Sequence, residues 1–121
     1  MNASDDLLHL ALPDDWEAAR VSGEYRVSTR GRTLDQEGFV HCSRPHQMTG
    51  VANRFYSDIT ELLVLLIDPD ALVADVIEEP PYPGADERFP HVYGPIPVTA
   101  VMTTTNWERD DDGIWRRPRL M

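Results

Sequence analysis

The chain has 121 residues, 41% of them hydrophobic and 26% charged, the size and balance of one domain that can close a core without disulfides. Eleven basic residues against twenty-one acidic ones give a net charge of −10, and a mean field of that sign argues against a general nucleic-acid coat or a binder of anionic membranes. The longest apolar run, Leu62 to Ile67, is far short of the roughly 20 residues of a membrane span; the acidic start Met1-Asn2-Ala3-Ser4-Asp5-Asp6 is unlike a secretory signal, and with the single cysteine, Cys42, it predicts a cytoplasmic protein.

Leu7-Leu8-His9-Leu10-Ala11 is a short apolar run bounded by acids and Pro13, which predicts a first strand. Asp14-Asp15-Trp16-Glu17-Ala18-Ala19-Arg20 follows as a short helix with an aspartate cap, and Gly23 stands where the chain leaves it. Residues 26–36 have little apolar content and no period, so they read as irregular, and Gly38 to Cys42 reads as a short strand ending near His41. Ser43-Arg44-Pro45-His46 has the form of a helix start, with Ser43 as the cap and Pro45 in the first turn. That helix is predicted to run to Tyr56, burying Met48, Val51, Ala52 and Phe55, with Arg54 beside the buried face.

Glu61 to Ile67 is almost continuously apolar, the mark of a central strand covered on both sides. Asp68-Pro69-Asp70 is a turn, Ala74 to Glu78 a short strand and Pro80-Pro81-Tyr82-Pro83-Gly84 a loop. Val98 to Trp107 is rich in β-branched residues that suit extended structure, and Asp110-Asp111-Asp112-Gly113 makes a hairpin turn between Trp107 and Trp115. The sum is one α+β domain over residues 1–121, with its core within 7–107 and a C-terminal hairpin and tail over 107–121. Its sheet is expected to be split, antiparallel or mixed, with two to three short helices.

Charge is unevenly spread. Residues 1–19 carry five acids and no arginine, residues 20–54 six arginines against three acids, and residues 55–121 five arginines against thirteen acids. The net positive segment is the one that contains His41, and it predicts an anionic small-molecule ligand there. His41 and Cys42 are neighbours, so on a strand they face opposite ways and do not form a thiolate–imidazolium pair. His41 and Ser43 share a face beside a helix start, where free amides attract anions, and Arg44 and Arg54 are charged partners for a phosphate or carboxylate. The structural alternative is that Ser43 only caps the helix and His41 satisfies a buried carbonyl.

His91-Val92-Tyr93 lies between Pro90 and Pro95, which predicts a rigid loop holding His91 and Tyr93 in fixed directions; the structural alternative, favoured for this segment alone, is a loop whose Phe89 and Tyr93 fill the core. Two imidazoles converging on one pocket supply an acid and a base, so His41 and His91 are the expected catalytic pair. His9, on the first strand, is a core histidine unless it converges with them. No His-Glu-x-x-His pattern appears and no metal is predicted; no glycine-rich phosphate loop, Gly-x-Ser-x-Gly elbow or dinucleotide fingerprint is present either.

Gly38-Phe39-Val40-His41-Cys42-Ser43, Val51-Ala52-Asn53-Arg54-Phe55-Tyr56, Leu63-Val64-Leu65-Leu66-Ile67-Asp68-Pro69 and Phe89-Pro90-His91-Val92-Tyr93-Gly94-Pro95-Ile96 resemble, in order, the blocks of the bacterial family named domain of unknown function 952. The resemblance spans residues 7–103. Members of that family resemble the ADP-ribosyltransferase superfamily in fold, which implies a compact split sheet and a cleft of nucleotide size, with NAD as the implied ligand. It implies His9, His41 with Ser43, and His91 with Tyr93 as cleft residues. The late glutamate on which many of those transferases rely has no match by motif here, Glu108 included.

Three readings follow. The first is a cleft for a nucleotide or other phosphate-bearing molecule, of the ADP-ribosyl or phosphate transfer type, with His41 and His91 as acid and base and His9, Ser43, Arg44, Arg54 and Tyr93 contacting the ligand. The second is a phosphodiesterase in which two histidines trade protons across a cyclic phosphate. The third is a noncatalytic module that binds a partner through Trp107, Trp115 and the basic tail Arg116-Arg117-Pro118-Arg119.

Overall fold

The structure, a computed structural model, describes residues 5–117. In chain order they form β1 (Leu7–Ala11), α1 (Pro13–Ser22), β2 (Glu24–Tyr25), β3 (Val27–Thr29), β4 (Arg32–Thr33), α2 (Leu34–Glu37) and β5 (Val40–His41). A 3-10 turn (Pro45–Gln47) leads into α3 (Met48–Phe55), followed by β6 (Glu61–Ile67), β7 (Val76–Glu79), β8 (Phe89–Val92), β9 (Ile96–Pro97) and β10 (Val101–Glu108). The result is an α+β arrangement of small sheets and short helices, and every strand pairing among the described residues is antiparallel.

The largest sheet has the order β1-β6-β10, so the apolar run Glu61–Ile67 is its middle strand, as expected. Alternate residues of β6 feed two cores because successive side chains leave a strand on opposite faces. Leu65 and Ile67 join Leu7 and Ala11 of β1, Trp16 and Ala19 of α1, and Tyr25, Val40, Val92 and Ile96. Leu62 and Val64 join Leu8 and Leu10 with Met48, Val51 and Ala52 of α3, Tyr56, Trp107 and Trp115. Phe55, expected on the buried face of α3, is instead 45% exposed. Cys42 is fully buried, and burial pushes its thiol up, well out of the reactive range.

Several boundaries differ for local reasons. Pro13 occupies the first turn of α1 with Leu12 as an N-cap that makes no side-chain hydrogen bond, so Asp14 and Asp15 lie inside the helix rather than capping it. Gly23 ends it at φ 94°, its N–H donating to Ala19 O at 2.7 Å. Residues 26–36, read as irregular, form the β3-β4 ribbon and the start of α2, where Thr33 and Gln36 cap each other reciprocally. Elements of two to four residues are too short to show a period. Ser43 is not a helix cap: its backbone bridges Leu8, with N–H···O distances of 2.9 and 2.7 Å. The helix start is moved to Arg44, whose N–H is accepted by Gln47 Oε1 at 2.9 Å.

The segment around His91 is a strand rather than a loop. β8 lies in the middle of the sheet β5-β8-β7, and Pro90 is accommodated beyond the end of β5, where Pro90 O accepts from Cys42 N–H at 3.0 Å and no reciprocal donor exists. The acidic turn after β10 forms, with Gly113 N–H donating to Asp110 O at 2.9 Å, but the chain beyond it packs back through Trp115 without making a second strand. Pro118 and Arg119 of the basic tail, and the first four residues, lie outside the described residues. Among the described residues no helix is long and apolar enough to cross a membrane.

Candidate functional site

His41 and His91 are direct cross-strand partners of β5 and β8, which puts both rings on one face of the sheet. His41 Nδ1 lies 3.2 Å from His91 Nε2. His91 Nδ1 in turn lies 2.8 Å from Glu79 Oε1, and Tyr93 O–H donates to the same carboxylate oxygen. A carboxylate only accepts, so His91 carries its proton on Nδ1 and offers Nε2 to the Nδ1–H of His41. His41 Nε2 is left without a hydrogen-bond partner among the described residues. Phe39 stacks on the His91 ring at 3.9 Å and 11° and holds its plane.

The chain Glu79–His91–His41 ends at a cleft of about 690 Å³, in the range of small-molecule sites. His41 lines it together with the rings of Phe39, Phe55, Tyr82 and Phe89, and with His46, Gln47, Gly50 and Arg54. Arg54 lies over the Phe55 ring at 5.3 Å from its centroid. Of the acids on the wall, Glu37 is paired with Arg32 at 2.6 Å, and Glu87 accepts from Gln47 Nε2 at 3.0 Å.

Burial, then the proximity of His91 and His9, drives the His41 imidazole down to about 3. It is therefore neutral near pH 7, with Nε2 a hydrogen-bond acceptor that binds a proton only weakly while the site is desolvated. The Glu79 carboxyl is lowered first by the Tyr93 hydrogen bond and then by His91, and the Tyr93 phenol is raised by Glu79. The group that faces His91 thus stays anionic at neutral pH, which fixes the ring's tautomer.

The other expected site residues separate. His9 is 3% exposed, with Nδ1 2.6 Å from His41 O and Nε2 3.0 Å from Tyr25 Oη. It supports the strand beneath His41 and has no free nitrogen for a ligand, and desolvation lowers its imidazole to about 4. Ser43 is buried in its bridge to Leu8 and does not line the cleft. Arg44 turns away, donating to Asp5 O at 2.6 Å and pairing with the Glu78 carboxylate. Tyr93 reaches Glu79 rather than the cleft wall. Of the two arginines expected at the site, Arg54 lines the cavity.

Sequence reasoning missed Glu79, Phe39 and Gln47. Glu79 falls one residue beyond the strand expected to end at Glu78, and only the pairing of Glu79 with Phe89 across β7 and β8 places it diagonal to His91. Trp107 and Trp115 are 3% and 0% exposed and meet edge to face at 4.8 Å, so they are core residues and offer no surface to a partner. No group of metal-ligating side chains is found among the described residues.

The model of the family described as Protein of unknown function (DUF952) matches residues 10–104. The crystal structure of CC0527 from Caulobacter crescentus is similar over 92% of this chain and 93% of that one, with 25% identity and a TM-score of 0.76. Its solution NMR structure gives 25% identity and a TM-score of 0.74, covering 92% and 91% of the two chains. No curated protein matches the chain.

Proposed function

The chain belongs to the DUF952 family, and from the cleft it builds we propose an acid–base enzyme acting on a nucleotide-like, phosphate-bearing small molecule, with His41 as the proton-transferring group. The observation that carries this reading is the Glu79–His91–His41 chain, which ends on an unpaired imidazole nitrogen in a cavity. A bound anionic group offsets the desolvation that weakens the free imidazole; His41 Nε2 then takes a proton from a substrate hydroxyl while its Nδ1 proton stays in the hydrogen bond to His91, and Glu79, behind His91, faces the charge that develops. His91 is thus a positioning residue.

The ligand class is supported by the walls. The aromatic side chains Phe39, Phe55, Tyr82 and Phe89 on the wall suit a planar base, and Arg54 suits a phosphate. NAD, as substrate of an ADP-ribosyl transfer, is the specific candidate that the family resemblance favours. The setting is cytoplasmic in this reading, consistent with one buried cysteine.

The two-histidine phosphodiesterase is disfavoured, because both imidazoles must then reach the phosphate and His91 is 1% exposed behind His41. Calorimetry with NAD, ADP-ribose and AMP tests the proposal. At least one is expected to bind, and His41→Ala, which empties a half-buried position, is expected to weaken that binding about tenfold or more while the protein still unfolds cooperatively. Binding of none of the three, or equal binding by a folded His41→Ala, removes the reading.

A further inference from the structure

His46, Gly50 and Arg54 all line the cleft, and their spacing of four residues places them on one face of the 3-10 turn and α3. Glycine is the poorest helix-interior residue short of proline. Gly50 nevertheless sits inside α3, and it is not among the glycines with positive φ. Its missing side chain is not required by packing either, since a Cβ built there meets no atom within 4 Å. The space a methyl would enter is the cleft.

The side chains above and below that space are basic. Arg54 makes no ion pair with a carboxylate among the described residues and lies over the Phe55 ring. His46 Nε2 is 4.0 Å from Glu87, whose carboxylate is already held by Gln47. Glu37 is paired with a cation, Arg32, whereas the amide of Gln47 leaves the charge of Glu87 in place, so Glu87 and Asp86, on the loop between β7 and β8, are the opposing charges on the wall.

We infer that Gly50 keeps open a seat for a phosphate group of the ligand, most favourably a diphosphate that spans from His46 to Arg54 with its oxygens against the bare backbone of α3. Absence of a side chain allows the close approach, and the two flanking residues supply the charge-assisted donors. The inference rests on the cleft being the ligand site proposed above, and it adds the part of the ligand that α3 receives.

The test is a titration of the full, isotope-labelled chain with inorganic pyrophosphate, followed by amide and arginine Nε–H shifts. Saturable shifts at Gly50 and Arg54 are expected. Gly50→Ala is expected to raise the thermal midpoint by about 4 °C and to weaken pyrophosphate about tenfold, a combination that a merely structural glycine does not produce. Asp86→Asn is expected to tighten it. Silence at Gly50 and Arg54, or undiminished binding by Gly50→Ala, overturns the seat. Adenosine, which has no phosphate, is titrated in parallel. If adenosine shifts Phe39, Phe89 and His41 while pyrophosphate leaves Gly50 unmoved, the seat is wrong and the nucleotide reading stands; if pyrophosphate seats at Gly50 while adenosine and AMP leave His41 unmoved, the seat stands and the nucleotide reading falls.

Discussion

Two buried imidazoles carry a cost that pH reveals. His9 and His41 are lowered from 6.5 to about 4 and about 3, in both cases chiefly by desolvation. The unfolded chain therefore binds protons on both residues at a pH where the folded chain does not. Stability attributable to them is complete above about 6.5 and is lost as pH falls from there to about 4 for His9 and about 3 for His41. Asp58, lowered to about 2 by its Arg30 hydrogen bond, adds its loss only below the ordinary carboxylate range near 4. Urea unfolding between pH 7 and 4.5 is thus expected to show stability falling with a slope that approaches about two protons, and about one in His41→Gln. A slope unchanged by His41→Gln means that His41 is not buried neutral. His41 and His91 stood out in the sequence by their constrained polar surroundings, and His9, inside an apolar run, read as a core histidine. Their division of labour was not legible there: His9 as support, His91 as orienter and His41 as the free end depend on which ring nitrogen meets which neighbour.

At the scale of elements, β8 is the strand on which the site depends, since it sets His91 opposite His41 and within reach of Glu79. Its end is fixed by a close approach. A Cβ added at Gly94 lies 2.8 Å from Ala74 Cβ, closer than real carbons come, so the segment before β7 must shift if Gly94 gains a side chain. Gly94→Ala is expected to cost about 1–3 kcal/mol in chemical denaturation, and adding Ala74→Gly is expected to restore part of it. A neutral Gly94→Ala leaves this account without support. Elements that bury long apolar runs, β1 and β6, were readable from consecutive residues. The β3-β4 ribbon, α2 and the strand character of Phe89–Val92 were not, because short elements are stabilised by partners distant in the chain and Pro90 by itself argues against a strand.

Across the whole molecule, the central sheet is covered on both faces, and the second face is closed by the C-terminal segment. Asn53 clamps the Trp115 backbone on both sides, at 2.8 and 3.0 Å, while Trp115 Nε1 donates to Tyr56 O at 2.8 Å. The core therefore reaches Trp115, beyond the limit near residue 107 that the sequence indicated. Trp115→Ala is expected to destabilise the protein by about 3–5 kcal/mol, readable as a large drop in the urea midpoint; a loss below about 1 kcal/mol means the segment is only draped on the surface. The molecule also redistributes its charge. The arginines of the positive segment are mostly paired, Arg26 with Glu24 and Asp35, Arg30 with Asp58, Arg32 with Glu37 and Arg44 with Glu78. Arg54 is the one of them that reaches the cleft.

By itself the sequence determined the α+β class, the central strand, the helix that carries Arg54 and the two histidines worth attention, because apolar runs, turn residues and imidazoles act through local chemistry. Only the tertiary structure decided that His41 and His91, fifty residues apart, stand 3.2 Å from each other with Glu79 behind them. Strand register is set by burial and pairing between distant segments, and a shift of one residue would have turned either ring to the opposite face.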